Sequence, residues 1–271
     1  MLKKIALVVF LFLCYPSFSQ GQDIQLISWN IQDFGKTKSN EELEQMAEIL
    51  RYADIVALQE VVAGYGGAQA VARLSDELNR KGAQWDYVIS DPTNSPKYAA
   101  ERYAFLWKTK HVKIKKRGKL ISALKKEVDR EPFALDFYVN GEKFTVLNFH
   151  SRPYYKNPQE EISAITRHIR SLLASPLLLV GDFNLTESDA SFDDLKSYGF
   201  NPALTNERTT LKRACNGDGY INHAIDNVFY SKQILKIDSR VIDFVGSCGN
   251  LKKARELSDH LPVFMRFNIK E

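Results

Sequence analysis

Cysteine is scarce in this chain: three in 271 residues. Cys14 falls in an apolar leader, so two are left, Cys215 and Cys248. In an oxidising compartment an even pair suggests one disulfide. Two separate thiols are the alternative that spacing leaves open. Long hydrophobic runs are also missing. The longest, Ile5 to Cys14, is too short for a comfortable membrane span. Charge of one sign is weak, at +4, which does not by itself imply nucleic acid. There is no internal repeat, no low-complexity linker and no break in composition after the leader, so one domain is the simplest organisation.

The leader has the layout of an export signal. Lys3-Lys4 is a charged start, Ile5 to Cys14 a short apolar stretch, and Ser17-Phe18-Ser19 offers small residues to a signal peptidase. The expectation is cleavage after Ser19, a mature domain over 20–271, and a secreted or periplasmic protein with no membrane span left. Leu13 before Cys14 argues against a lipid-anchored cysteine. An uncleaved anchor is the alternative.

Periodicity alternates between strand and helix. Asp23 to Asn30 and Asp54 to Gln59 read as strands. Between them Ser39-Asn40-Glu41-Glu42 is a capping box that opens a helix with Leu43, Met46, Ala47 and Leu50 on one face. Gly64 to Gly67 reads as a loop and Ala68 to Lys81 as a second helix. Strands are expected near 85–89, 103–108 and 111–116. Asn140-Gly141 marks a hairpin between Phe133 to Val139 and Lys143 to Phe149. Gln159 to Leu173 is an amphipathic helix, and Leu177 to Val180 a strand covered on both faces. Asp189 to Tyr198 reads as helix, and three strands complete the chain. Hairpins mixed with helical crossovers fit two sheets packed face to face with helices outside. The basic stretch from Lys108 to Lys119 reads either as a lysine-protected edge strand or as a phosphate-facing surface.

Polar residues border the apolar runs. Asn30 follows Trp29, Glu60 follows Gln59, His150 follows Phe149, Gly181-Asp182-Phe183-Asn184 follows Val180, and Ser258-Asp259-His260 precedes Leu261. Each alone has an ordinary explanation as a turn, a cap or a packed side chain. Together they point to one polar site on the edge of a sheet. Oxygen ligands suit a hard divalent cation, and imidazoles suit proton transfer at neutral pH.

In this order, with Glu101-Arg102-Tyr103, Arg130-Glu131-Pro132 and Asp226, the chain resembles the endonuclease/exonuclease/phosphatase superfamily from about Ile24 onward. Its deoxyribonuclease I-like branch is the nearest match. The resemblance implies an α/β fold, a four-layer sandwich of two packed mixed sheets flanked by helices. It implies a metal-dependent phosphodiester hydrolase nicking DNA, expected to be double-stranded, with low sequence specificity, with Mg2+ or Mn2+ at Glu60, and Asn30 and Asp259 in or near its shell. His150 with Glu101, and His260 with Asp226, would be imidazole–carboxylate pairs. Asp182 and Asn184 would position phosphate, water or a second metal, and Arg130 would contact a phosphate. His260 or Asp182 would activate water, and His150 would protonate the leaving oxygen. His150 favours this branch, since repair-type relatives usually carry tyrosine there, and export favours it too.

The chain departs from the pattern in four places. Val62 stands where the pancreatic-type enzyme places a groove-entering arginine. Ala99 replaces a tyrosine, with Tyr98 one step away. Gly118 to Asp129 lacks the cysteines of the family's calcium-binding loop, which puts a structural Ca2+ in doubt. The cysteine pair is placed differently. A phosphodiesterase or phosphatase acting on lipid or small phosphoesters is the alternative within the fold. A catalytically silent binding protein is the alternative outside it.

Overall fold

The computed structural model describes residues 23–96 and 99–270. The leader with its expected cleavage site, and Tyr98, lie outside the described residues.

The first half of the chain runs β1 (Ile24–Phe34), α1 (Asn40–Leu50), β2 (Ile55–Val62), α2 (Tyr65–Arg80), β3 (Trp85–Ile89), β4 (Glu101–Lys108), β5 (Lys113–Ile114) and β6 (Lys119–Leu120). The second half runs β7 (Phe133–Val139), β8 (Glu142–His150), α3 (Pro158–Ile169), β9 (Leu177–Asp182), α4 (Asp193–Ser197), β10 (Asn201–Pro202), β11 (Leu211–Asn216), β12 (Gly219–Ile221), β13 (Asp226–Tyr230), β14 (Ile234–Val241), α5 (Leu251–Leu257) and β15 (Val263–Ile269).

Two large sheets form. One has the order β14-β15-β1-β2-β4-β3, the other β10-β13-β9-β8-β7-β5, with β6 also on β7. Among the described residues only the central pairs are parallel, β1 with β2 and β8 with β9. A parallel pair needs a crossover, and α1 and α3 supply one in each sheet. Aromatic side chains fill the space between the sheets. Phe137 meets Phe105 edge-on at 5.4 Å and stacks on Phe144 at 5.8 Å. Truncating such a fully buried ring costs about 3–5 kcal/mol. A second core lies under α1 and α2, with Leu43, Met46, Leu74 and Leu78 against Trp29 and Leu58. A third holds Ile162 and Ile165 of α3 against Leu147 and Leu179. The order is helix, sheet, sheet, helix, which is the expected four-layer sandwich.

Local sequence sets the ends of elements. Ser39 caps α1, and Glu42 reaches back to the Ser39 amide, as the capping box requires. Asn140 and Gly141 both take positive φ, the condition for a tight hairpin turn. Three expectations shift. Helix α2 starts at Tyr65, so the expected glycine loop is its first turn. A Cβ on Gly67 would lie 2.0 Å from the Val62 carbonyl oxygen, so glycine lets the helix start directly on the strand end. Helix α3 ends at Ile169 and continues only as a 3-10 turn. The strand expected over 111–116 is two residues long.

Register also places the basic stretch. Lys108 pairs with Asp54 at the end of β4 remote from Glu101, and Lys113 lies opposite Tyr138 at the end of β7 remote from Phe133. Lys113, Lys115 and Lys116 therefore flank the edge strand β5, and Lys108 ends β4, away from the polar ends of β2 and β8. Ile121, Leu124 and Val128 sink into the third core, so hydrophobic packing holds the 118–129 loop.

Cys215 of β11 and Cys248 are bonded, with Cα atoms 5.7 Å apart. The bridge spans 33 residues of sequence. In the chain-entropy model a loop of that size is worth roughly 3–4 kcal/mol. Cys215→Ser should therefore lower unfolding free energy by about that amount in urea titrations. An unchanged midpoint would show that the bridge constrains nothing.

Candidate active site

The polar residues gather because both parallel strand pairs end on the same side. Asn30 of β1 lies beside Gln59 of β2 just before their register shifts, and Glu60 follows. In the other sheet, register sets His150, Asp182 and Asp226 side by side on β8, β9 and β13. The carboxyl ends of parallel strands are where open α/β sheets bind ligands.

Backbone irregularity aims these side chains. Glu60 takes φ 59, in a bulge where β2 loses register with β4 between Leu58 and Val61. Bulges of this kind re-aim side chains next to sites. Gly181 takes φ 137, and a Cβ there would lie 1.8 Å from the Phe149 carbonyl oxygen. Only glycine lets β9 approach β8 this closely and set Asp182 beside His150.

Asp182 is the hub. Its Oδ2 accepts from Asn30 Nδ2 at 3.1 Å and lies 3.6 Å from His150 Nε2 and 3.8 Å from His260 Nε2. Its Oδ1 accepts from the Asn184 amide at 2.9 Å. Burial and then the nearby Asp226 carboxylate push the Asp182 carboxyl above its usual range, against the pull of both histidines. Asn30 Nδ2 also donates to Glu60 Oε1 at 3.0 Å. That leaves Asn30 Oδ1 buried without a donor.

Each imidazole has a carboxylate behind it. His150 Nδ1 is 3.0 Å from both Glu101 oxygens, and His260 Nδ1 is 2.9 and 3.1 Å from those of Asp226. This fixes the Nδ1–H tautomer and presents Nε2 to the Asp182 side. Burial alone would lower both imidazoles, but the facing carboxylates outweigh it. His150 is raised, and His260 is pushed up to about 10.

The remaining expected residues fall around this centre. Arg130 turns inward: its Nε pairs with Glu101 at 3.1 Å, and its Nη1 donates to the Ser151 carbonyl at 3.0 Å. It braces the His150 pair. Asn184 donates through Nδ2 to the same Ser151 carbonyl at 3.2 Å. Asp259 stands at the rim, half-buried, with Arg255 at 3.6 Å.

Several supporting residues have no role assigned from the sequence. Thr209 donates to Asp226 Oδ2 at 2.6 Å and accepts from the Asp226 amide at 3.1 Å. Tyr103 Oη accepts the His150 amide at 3.1 Å. Lys38 is buried and donates to the Glu256 and Leu257 carbonyls, which fixes the end of α5 just ahead of Ser258-Asp259-His260. A cation there also suits the helix dipole. Behind the site Gln59 Nε2 donates to Asn148 Oδ1 at 2.6 Å, joining the two sheets through a polar seam.

Comparison with known proteins agrees with this fold. The model of the endonuclease/exonuclease/phosphatase family matches residues 27–260. A deoxyribonuclease of Thioalkalivibrio sp. (strain K90mix) is 27% identical, covering 98% of this chain and 77% of that protein. Deoxyribonuclease gamma of Homo sapiens is 25% identical, covering 93% and 88%. Among solved structures, an endonuclease/exonuclease/phosphatase from Bacteroides vulgatus superposes with a TM-score of 0.68 at 17% identity, covering 92% of this chain and all of that one.

Proposed function

Since this chain belongs to the endonuclease/exonuclease/phosphatase family, on its deoxyribonuclease I-like branch, we propose that it is an exported, divalent-metal-dependent endonuclease that hydrolyses DNA phosphodiester bonds with low sequence preference. The observation that carries this is the pair of carboxylate-backed imidazoles whose Nε2 atoms both approach Asp182 Oδ2. The names of the curated relatives support DNA as substrate. The Cys215–Cys248 bridge supports an oxidising compartment.

A hard cation fits the donor set. Asn30 Oδ1 is an orphaned buried acceptor, and such a group is costly unless something electropositive meets it. Glu60 shares the Asn30 amide, and both cysteines among the described residues are bonded to each other, which favours Mg2+ or Mn2+ over Zn2+. Asp182, Asp226 and His260 also offer ligand atoms within 4.8 Å of one another. We favour the Asn30–Glu60 position, because His260 and Asp226 already satisfy each other and an imidazolium cannot ligate. Asp259 would join from the rim. A bound cation supplies charge neutralisation to the phosphate oxygens.

The protein's own groups handle the protons. Asp182, raised by burial and by the Asp226 carboxylate, takes the proton of the attacking water, so the water oxygen bonds to phosphorus as the leaving oxygen departs. His150, held by Glu101, gives a proton to that leaving oxygen. His260 is protonated in the free protein, so it donates to a non-bridging oxygen rather than accepting from water. Asn184 holds Asp182 in place. Plasmid nicking assayed with magnesium, manganese and chelator tests the reading. Hydrolysis of a lipid or nucleotide phosphoester, with every DNA left intact, would reject it.

Val62 sets a further expectation. It is exposed at the end of β2, two residues past Glu60. With valine there this position offers no cation to a duplex groove, and phosphate contacts read no sequence. Val62→Arg should tighten duplex binding and steepen its log–log salt slope by up to about 0.9. A salt series of binding isotherms checks this, and identical slopes would show that the strand end does not meet the duplex.

A further inference from the structure

Two exposed side chains stand close to Glu60 and take no part in the chemistry described above. Lys36 lies in the loop that leaves β1, and Tyr65 opens α2 after β2. Lys36 is exposed, and Tyr65 is 79% exposed. Among the described residues the Lys36 ammonium meets no carboxylate, whereas Lys38 spends its own on the Glu256 and Leu257 carbonyls.

Close contacts hold both segments at the end of the sheet where the reacting groups lie. Val62 is opposite Glu101 in the register of β2 with β4, and Glu101 is the carboxylate behind His150. The Asp33 amide donates to Glu60 Oε2 at 3.2 Å. A Cβ on Gly35 would lie 3.0 Å from Val62 Cγ2, and one on Gly66 would lie 3.2 Å from both the Lys36 amide nitrogen and its Cβ. The loop after β1 and the first turn of α2 thus touch each other beside Val62, with Lys36 and Tyr65 as neighbours. Arg102 donates to the Ala63 carbonyl at 2.8 Å and to the Ser90 carbonyl at 2.7 Å, which pins the link from β2 to α2. Arg73 of α2 donates to the Lys38 carbonyl at 3.0 Å, and the Lys38 amide closes a turn on the Gly35 carbonyl. Helix α2 buries Ala70, Val71 and Leu74, which leaves Tyr65 outside the core. Helical side chains lean toward the N-terminus, and here that is the end joined to the strand of Glu60.

We propose that Lys36, Val62 and Tyr65 form a ledge that seats double-stranded DNA beside the reacting phosphate. Lys36 meets a backbone phosphate, and the Tyr65 ring with Val62 packs on the sugar edge of the groove. This rests on the reading of the site as a DNA phosphodiesterase. The occupant follows from chemistry and continuity. An unpaired cation next to an exposed ring and an exposed valine matches the alternation of phosphate and deoxyribose along a strand. Glu60 and Asp33 bring carboxylates to the same loop, so a phosphate arriving there needs a local cation. Lys36 supplies it, one residue past the glycine that touches Val62. Single strands are held by a succession of stacking rings, whereas this ledge is stiff and offers one. Contacts to phosphate and sugar carry no sequence information, in keeping with a low sequence preference.

The test is binding of a dye-labelled blunt duplex to the full chain, read by anisotropy in chelator over a salt series, with plasmid nicking in magnesium beside it. Lys36→Ala should weaken duplex binding up to about tenfold at about 0.1 M salt and lower the log–log salt slope by up to about 0.9. KM should rise by the same factor with kcat unchanged, because the lysine touches no reacting atom. Lys36→Arg should keep the slope, and Val62→Arg added to the Lys36→Ala protein should restore it. Tyr65→Ala should weaken duplex binding about fivefold to tenfold. That loss should be equal at every salt concentration, because an uncharged ring releases no counterions, and Tyr65→Phe should bind as the unmodified protein does. Lys110→Ala removes the same charge just past the end of β4 remote from Glu101, and should leave slope and KM as they are. Equal slopes and KM in the Lys36→Ala and Lys110→Ala proteins would overturn the ledge while DNA nicking stands. So would a Tyr65→Ala loss that is larger on oligothymidylate than on the duplex. A protein that nicks no DNA with magnesium or manganese would overturn the ledge together with the reading beneath it.

Discussion

His260→Ala and Asp226→Ala should each slow DNA nicking by about a hundredfold to ten-thousandfold, and the double variant should fall little further. The two side chains are one device. Asp226 meets His260 Nδ1 through both oxygens, and Thr209 locks the same carboxylate from behind. Without Asp226 the imidazole loses its tautomer and its charge. Without His260 the carboxylate has no proton donor to hold. Single-turnover rates on supercoiled plasmid measure each loss, and simple multiplication of the two defects would show independent action. The pair also leaves a pH signature on stability. His260 titrates near its ordinary value of about 6.5 in the unfolded chain and at about 10 in the folded one. A raised folded pKa stabilises fully below the unfolded value and loses that contribution as pH rises through the folded one. Melting temperature should therefore fall between those limits, and His260→Ala should flatten the fall. Parallel curves for the two proteins would show that the imidazole carries no such charge.

Much of this site is legible because it sits at the ends of strong patterns. Leu177 to Val180 can only be a central strand, and the glycine after it needs a reason, which the 1.8 Å approach to the Phe149 carbonyl supplies. Ser39 and Glu42 announce a helix start by a reciprocal hydrogen bond that local sequence alone determines. Asn140-Gly141 does the same for a hairpin.

What stays hidden depends on tertiary partners. Gly64 to Gly67 reads as a loop, yet α2 begins inside it because glycine fits against the Val62 carbonyl. The seven residues of α5 are too few for periodicity to show, and Lys38, 213 residues before Leu251, secures its end. Thr209 lies in no motif, and only the folded chain brings it to Asp226. The inward turn of Arg130 is likewise set by Glu101 and the Ser151 carbonyl, neither of them a sequence neighbour. Even the basic stretch is ambiguous until register shows that it runs along β7, from Lys113 opposite Tyr138 to Lys119 opposite Ala134.

Glu60→Gln should cut nicking severely, and excess chelator should abolish it in the unmodified protein. Glu60 reaches the site only through a bulge at positive φ, a conformation that costs a non-glycine residue energy. The fold bears that cost to bring a carboxylate to the Asn30 amide, whose own oxygen is left buried and bare. Two acids, Glu60 and Asp182, thus converge on one amide nitrogen beside an unmet acceptor. A hard cation resolves both the repulsion and the orphaned oxygen, whereas a proton on one acid resolves only the first. The two cases differ in a measurement that needs no turnover. Magnesium or manganese should raise the melting temperature of the unmodified protein by mass action. Glu60→Gln should lose most of that rise with only a small drop in metal-free melting temperature, since glutamine keeps the hydrogen bond from the Asn30 amide and gives up the exposed one from the Asp33 amide. Asp259→Asn, changed at the rim, should lose less. A melting temperature indifferent to both metals, with full turnover in excess chelator, would show that the carboxylates serve protons alone.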